Sequence, residues 1–296
     1  MTRPVTRPVA RPAIRPVTAP LSRRLTGALI PVYCALAFVF LLAPSVYTVL
    51  YSFNDGGRRN LVWQGFTLDN WRNPCGAPQV CESFANSLQV GLLSTLFATT
   101  LGTLIAIALV RYRFRGRALA NVLIFLPMST PEVVLGAALL SQFLTLQLQL
   151  GFWTVVLAHV MFNISFVVVA VKARVQSMDP RLEEAAADLY ASPWQAFWKV
   201  TFPLLVPGIV AAAALAFSLS FDDFIITNFN SGSFTTFPKF VYVSAARGIP
   251  AQANVIGTAM FVAALVVVIG AQVVAALRRR ALRMVVGGIV APKTGA

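Results

Sequence analysis

The chain has 296 residues, 57% of them hydrophobic and only 11% charged, and it carries a formal net charge of +14. Mean hydropathy is +0.74. A soluble globular domain is excluded, since such domains carry roughly a quarter of their residues as charges. The basic excess leaves nucleic acid, anionic lipid and membrane topology as competing explanations.

In chain order, the first element is a tail, residues 1–27. It opens MTRPVTRPVARPAIRPVTAPLSRR, with an Arg-Pro unit every fourth residue from Arg3 to Pro16. Repeated Pro favours an extended chain that buries too little apolar surface to fold, so the tail is expected to be disordered and to touch anionic headgroups. It is too long and too Pro-rich for the basic region of a signal peptide, and the apolar run behind it is long enough to span a bilayer, so it is expected to be retained.

Apolar runs then recur near 29–51, 88–110, 119–143, 152–171, 204–226 and 255–277. A spanning helix needs about 17–25 residues, so about six spans are predicted in one all-α polytopic domain. The segments divide as a first span with an outer loop over 28–83, a core over 84–277, and a basic tail over 278–296. With the N-terminus cytoplasmic, every Lys and Arg of the 24 falls in an inner segment except Arg58, Arg59, Arg72, Lys239 and Arg247. That asymmetry is the positive-inside pattern, so both termini are placed in the cytoplasm. The charge is therefore topological, and the lipid membrane, not nucleic acid, is the expected partner.

Cys34 lies in the first span and reads as a small apolar residue. Cys75 and Cys81 lie six apart in the first outer loop, where a disulfide is able to persist or both remain free thiols. No His or further Cys stands near them, so no metal site is expected.

Three carboxylates fall at membrane depth. Glu132 follows Pro127 and Pro131 inside the third apolar run, where Thr130-Pro131 offers a place to break and restart a helix. Asp222 and Asp223 end the fifth run. A carboxylate inside a span is costly and is a functional candidate by default. One reading is an acidic lining for a cationic solute; the other is helix-end capping and interfacial solvation. On a continuous helix adjacent residues point about 100° apart, so Asp222 and Asp223 are not expected to face one pore together.

Chemistry is otherwise sparse. His159 sits on an apolar span beside Asn163, one turn away, and reads as a hydrogen-bonded packing residue. Without it no Ser-His-Asp set exists, so no catalytic residue is expected. The nearest approach to a phosphate loop is Gly287 to Thr294, where Pro292 replaces the second Gly. This chain is not expected to bind ATP itself.

The segment 179–203, DPRLEEAAADLYASPWQAFWKVTFP, is the one polar-faced stretch between long apolar runs. Asp179-Pro180 is a helix start, Ser192 with Gln195 forms a capping box at a second start, and Pro203 is expected to end that second helix. Two short helices meeting near 190–192 would make a knob on the cytoplasmic face.

That segment resembles the EAA loop of binding-protein-dependent ABC importer permeases: Glu-Ala-Ala, three residues, Gly, nine residues, Ile, any residue, Leu-Pro. Glu184, Ala185, Ala186 and Pro203 match, while Val200 stands in the Ile place, Phe202 in the Leu place and Tyr190 in the Gly place. The likeness extends to RYRFRGR at 111–117, LGFWTVVLAH at 150–159 and FSLSFDDFIIT at 217–227, and is nearest the smaller permease of spermidine/putrescine importers. It implies a type I ABC importer transmembrane domain in a bacterial inner membrane, without its own ATPase site. It also implies ATPase subunits that hold ATP and Mg and seat the EAA loop, a homologous second permease, and an extracytoplasmic solute-binding protein docking on 54–83 and 228–254. On this resemblance Leu182, Leu189 and Trp194 are apolar anchors to the ATPase. Ala185 to Ala187 allow close approach, and Glu184 pairs with a basic group or caps a partner helix. Gly at 190 would permit a positive φ that Tyr190 disfavours, so either the turn is built differently or Tyr190 itself contacts the ATPase. Another cargo, such as an iron complex, sulfate or another organic cation, and a self-contained secondary transporter stay open as alternatives.

Overall fold

The computed structural model describes residues 21–290 apart from 57–59, 180 and 247, with side chains described over 29–277. The Arg-Pro stretch 1–20, Pro180 and the last residues 291–296 lie outside the described residues. Among the described residues the structure is helical, with one isolated antiparallel bridge, Asn54 to Phe66. Five helices are long and apolar enough to span, or six if one bent pair counts as a span.

The chain divides into two units, one formed by the stretches up to Leu50 and from Val267, the other by Tyr51–Val266. In the first, helix α1 (Leu21–Tyr51) begins directly after the last proline of the tail, within the stretch expected to be disordered, and carries Pro31 and Pro44 inside it. Most of its apolar side chains, such as Phe40 and Tyr33, are exposed. The same unit holds the second half of the last helix, which extends to Val290, past the expected span end at 277. Its apolar residues from Val267 to Leu277 are likewise exposed. Helices apolar on all sides are solvated by lipid or by other apolar helices.

The second unit opens with a folded outer loop. Asn54, fully buried, donates through Nδ2 to Asn60 Oδ1 at 2.6 Å and to the Val62 carbonyl at 2.8 Å. Phe53 stacks on Phe66 and Trp71. A one-turn helix α2 (Asp69–Arg72) leads to Cys75, which is disulfide-bonded to Cys81 with a Cα–Cα separation of 5.3 Å.

Helix α3 (Val80–Arg111) presents a buried stripe of small residues, Ser83, Ser87, Gly91, Ser94, Ala98, Gly102 and Ala106. In lipid, where neighbouring apolar surfaces gain little from desolvation, small residues let backbones approach and pack. The approach is tightest at Gly102, where a Cβ would lie 2.6 Å from Cγ1 of Val167. Tyr112 leaves the helix in extended conformation, and Gly116, at φ 90°, turns the chain into α4 (Arg117–Ser129).

The third apolar run is broken where Thr130-Pro131 allows it. Helices α4 and α5 (Glu132–Thr145) meet at 109°. Pro131 has no N–H to donate and forces Thr130 out of the helical region, to φ −82° and ψ 132°. Glu132 is thereby placed in the first turn of α5, where the exposed N–H groups favour a carboxylate.

Helix α6 (Phe152–Gln176) is the most deeply buried span and packs against α3 and α9. The EAA segment follows as α7 (Arg181–Asp188), a turn, and α8 (Pro193–Ala196). Pro203 does not end a helix here. Phe197–Thr201 forms a π turn that joins α8 to α9 (Phe202–Asp222), so that 193–222 runs as one apolar helix. The expectation fails because Pro203 falls in the first turn after the wide π turn, where the ladder is already interrupted and its missing N–H costs little. Short helices α10 (Ile225–Asn230) and α11 (Phe237–Ala245) precede α12 (Ala251–Val290).

Candidate functional site

The EAA hairpin is held by local chemistry at both starts. Asp179 Oδ1 accepts from the Arg181 amide at 3.0 Å, and Ser192 with Gln195 closes a reciprocal capping box at 3.3 and 3.1 Å. Between them Tyr190 takes φ 59°, the left-handed conformation a Gly would supply. The turn is thus built as the motif requires, with the strain borne by a tyrosine that is 98% exposed. Leu182, Glu184, Ala185 and Leu189 are also exposed on this surface. Ala186 turns inward and is buried, so the small patch open to a partner is Ala185 and Ala187. Trp194 is exposed but also heads an aromatic cluster with Phe197 and Trp198, beside a cavity of about 760 Å³ that Thr99, Thr103 and Tyr112 help to line. Val200 and Pro203 belong to the continuous helix and not to the turn.

Replacing Tyr190 with Gly should relieve about 1 kcal/mol of backbone strain in the turn. The hairpin should then resist proteolysis better than wild type. An unchanged or faster cleavage rate at 188–192 would mean the left-handed turn carries no strain.

Among the described residues, the carboxylate of this motif that pairs with a basic side chain is Glu183 rather than Glu184. Glu183 Oε1 lies 2.9 Å from Arg111 Nη2 in an ion pair and accepts from Thr201 Oγ1 at 2.8 Å. Arg111, Glu183 and Thr201 were not legible as a set, because three different elements bring them together. The available signal was Glu183 standing next to the motif and Arg111 ending a basic turn.

A second site lies at the other end of α9. Glu132, Asp222 and Asp223 border one cavity of about 390 Å³, together with Phe162, Ser218, Leu219, Phe224 and Ile225. Both aspartates reach it because the helix stops at Asp222 and Asp223 is already extended, at φ −68° and ψ 125°. The 100° argument applied to a continuous helix, and this one is interrupted. Glu132 and Asp222 are exposed to the cavity, whereas the Asp223 side chain is only 5% exposed.

Asp223 is held from three directions. Its oxygens accept from the amides of Ile226 at 3.2 Å and Thr227 at 2.8 Å, which caps α10, and Oδ2 lies 3.2 Å from His159 Nε2. His159 Nδ1 meets Ser220 Oγ at 2.5 Å, Nε2 also lies 3.0 Å from Thr227 Oγ1, and Ser220 Oγ lies 2.7 Å from Ser94 Oγ. A neutral ring protonated on Nε2 satisfies the chain: it donates to Asp223 and accepts at Nδ1 from the Ser220 hydroxyl. His159 therefore packs by hydrogen bonds as expected, but its partners come from α9 and α10. The side chain of Asn163, fully buried one turn away, has no hydrogen-bond partner among the described residues.

Residues 98–285, which hold both the EAA hairpin and the acidic cavity, match the family model described as binding-protein-dependent transport system inner membrane component. The chain belongs to this family. The permease is 35% identical over 239 residues to the spermidine/putrescine transport system permease protein PotC of Escherichia coli K12, covering 80% of this chain and 90% of that relative. It is 35% identical over 236 residues to the putrescine transport system permease protein PotI of the same organism, covering 77% of this chain and 83% of that protein. Among solved structures, its fold is similar to a chain of a bacterial ABC transporter for import of the acidic polysaccharide alginate. The TM-score is 0.61 at 18% identity, over 86% of this permease and 96% of that chain. A chain of the inward-facing MetNI methionine ABC transporter matches with TM-score 0.54 at 16% identity, over 67% and 95%. The permease is thus an inner-membrane component with the fold of ABC importer transmembrane domains.

Proposed function

We propose that this permease is one of two homologous membrane subunits of an ATP-driven polyamine importer, with both termini in the cytoplasm. The observation that carries the cargo is the convergence of Glu132, Asp222 and Asp223 on one cavity. Two of these carboxylates are open to it, and Phe162 and Phe224 line it beside them. Ammonium groups passing there exchange part of their hydration for carboxylates and aromatic faces, while the rings also suit a methylene chain. Support comes from the likeness to PotC and PotI over most of their length.

Energy enters from outside this chain. ATPase subunits bind ATP and Mg and seat the exposed face of α7 and the 189–194 turn. An external solute-binding protein delivers cargo onto the loops around 54–83 and 228–254, the first of which is stiffened by the Asn54 hydrogen bonds and the Cys75–Cys81 disulfide. The ATPase closes on binding ATP, drives the hairpin, and the spans exchange inward for outward access.

The test is uptake of labelled spermidine and putrescine by cells expressing the whole transporter, with sulfate and an iron chelate as competitors. Saturable polyamine uptake that neither competitor reduces is expected. Competition by either, with no polyamine accumulation, would reassign the cargo. Uptake that persists when no ATPase co-purifies with the permease would favour a self-contained transporter.

A further inference from the structure

We propose that Arg111, Glu183 and Thr201 form the joint that transmits movement of the EAA hairpin to the spans, with Glu183 as its pivot. The inference rests on the reading of the chain as an ATP-driven permease and names residues outside the EAA motif for the coupling step.

One carboxylate oxygen serves all three elements. Glu183 Oε1 takes Arg111, the last residue of α3, and Thr201, the last residue of the π turn that feeds α9. Each partner suits its place. A cation at a helix C-terminus and an anion in a helix first turn both complement the helix dipole. The Thr201 residue is buried, and the pair is partly shielded, with side chains 20% and 36% exposed.

Packing alone connects the hairpin poorly to the spans. A cavity of about 320 Å³ lies beneath it, lined by Arg111, Glu183, Ala187, Ala191, Thr201 and Leu205 among others. Apolar contact across that space is incomplete, so displacement of α7 is carried by the ion pair and the Thr201 hydrogen bond across it. An ion pair backed by a hydroxyl hydrogen bond to the same carboxylate resists separation more than a dispersion contact does, so it suits a joint that must pull as well as push.

The two helices tied at Glu183 are tied again farther along. Ser94 of α3 and Ser220 of α9 meet at 2.7 Å, beside His159 and Asp223. From Arg111 to Ser94 is about 26 Å of helix, and from Thr201 to Ser220 about 28 Å. The pair α3 and α9 is therefore cross-linked at the hairpin end and at the acidic cavity. A tilt imposed at Glu183 reaches the cavity through two helices that move together, which a single helix free to rotate would not deliver.

The test uses the full transporter with its ATPase, second permease and solute-binding protein in lipid nanodiscs. Basal hydrolysis, hydrolysis stimulated by loaded binding protein, and co-purification of the ATPase are read for Glu183→Gln, Arg111→Gln, Thr201→Val and the exchange Arg111→Glu with Glu183→Arg. The expected result is wild-type assembly and basal hydrolysis, with stimulation reduced about tenfold in the Glu183 and Arg111 variants. Stimulation should return to within about threefold in the exchanged pair, a rescue that a purely structural role would not give. Full stimulation in both single variants would overturn the proposal. So would an exchanged pair no better than the worse single variant, or single variants that lose the ATPase altogether, since those residues would then only shape the hairpin. Failure of the wild-type permease to assemble with any ATPase would instead overturn the reading on which the joint rests.

Discussion

Substituting His159 with Phe should lower the stability of the permease by about 2–3 kcal/mol, the cost of taking one hydrogen-bond donor from a buried carboxylate. Asp223 is the group left behind, with a side chain 5% exposed and two backbone amides as its remaining donors. Phe fills the space but donates nothing to Asp223 and accepts nothing from Ser220, so Ser220 and Ser94 lose their place in the chain as well. Thermal unfolding in detergent should show a midpoint lower by about 10 °C. A second change, Asp223→Asn, should recover part of the loss in the His159→Phe background, because the amide oxygen still caps α10 while the buried charge is gone. A His159→Phe midpoint equal to wild type would show that the hydrogen-bonded chain contributes nothing to the fold.

Neutralising Glu132 and Asp222 together should reduce polyamine uptake by about a hundredfold, roughly tenfold for each carboxylate, with the fold intact. These two carboxylates are open to the cavity, so their loss removes charge from its wall without orphaning a buried partner. Adding Asp223→Asn should deepen the loss of uptake and also lower the unfolding midpoint, since Asp223 serves the cavity wall and the cap of α10 at once. Initial uptake rates at matched membrane expression would make the comparison. Unchanged transport in the triple amide variant would sink the acidic-lining reading, and loss of uptake only in variants with lowered midpoints would attribute it to misfolding.

The elements legible in the sequence were those governed by neighbours along the chain. Apolar length set the spans, and Thr130-Pro131 announced the break between α4 and α5, because a proline restricts the residue before it wherever it stands. Ser192 with Gln195 announced a helix start, since a capping box closes within four residues. The left-handed turn at 190 was not legible, since Tyr190 disfavours the positive φ that the structure gives it. Local rules also misled where a tertiary device intervened. Pro203 read as a terminator, and a π turn absorbs it. Asp222 and Asp223 read as diverging, and the end of the helix between them brings both to one cavity.

Composition, span length and cap chemistry thus settled from sequence alone that this is a helical membrane chain with polar-faced helix starts at Asp179 and Ser192. Only the tertiary structure decided which polar residues meet. His159 chose Ser220 and Asp223, more than sixty residues away, over Asn163 in its own helix. Glu183, rather than Glu184, took Arg111 and Thr201. The physical reason lies in the solvent. In water an amphipathic stripe shows which side of a helix is buried, but in lipid both sides are apolar, so the rotation of α3, α6 and α9 is set by small-residue contacts such as Gly102 against Val167. Those contacts join distant parts of the chain, and with them the partners of every buried polar group.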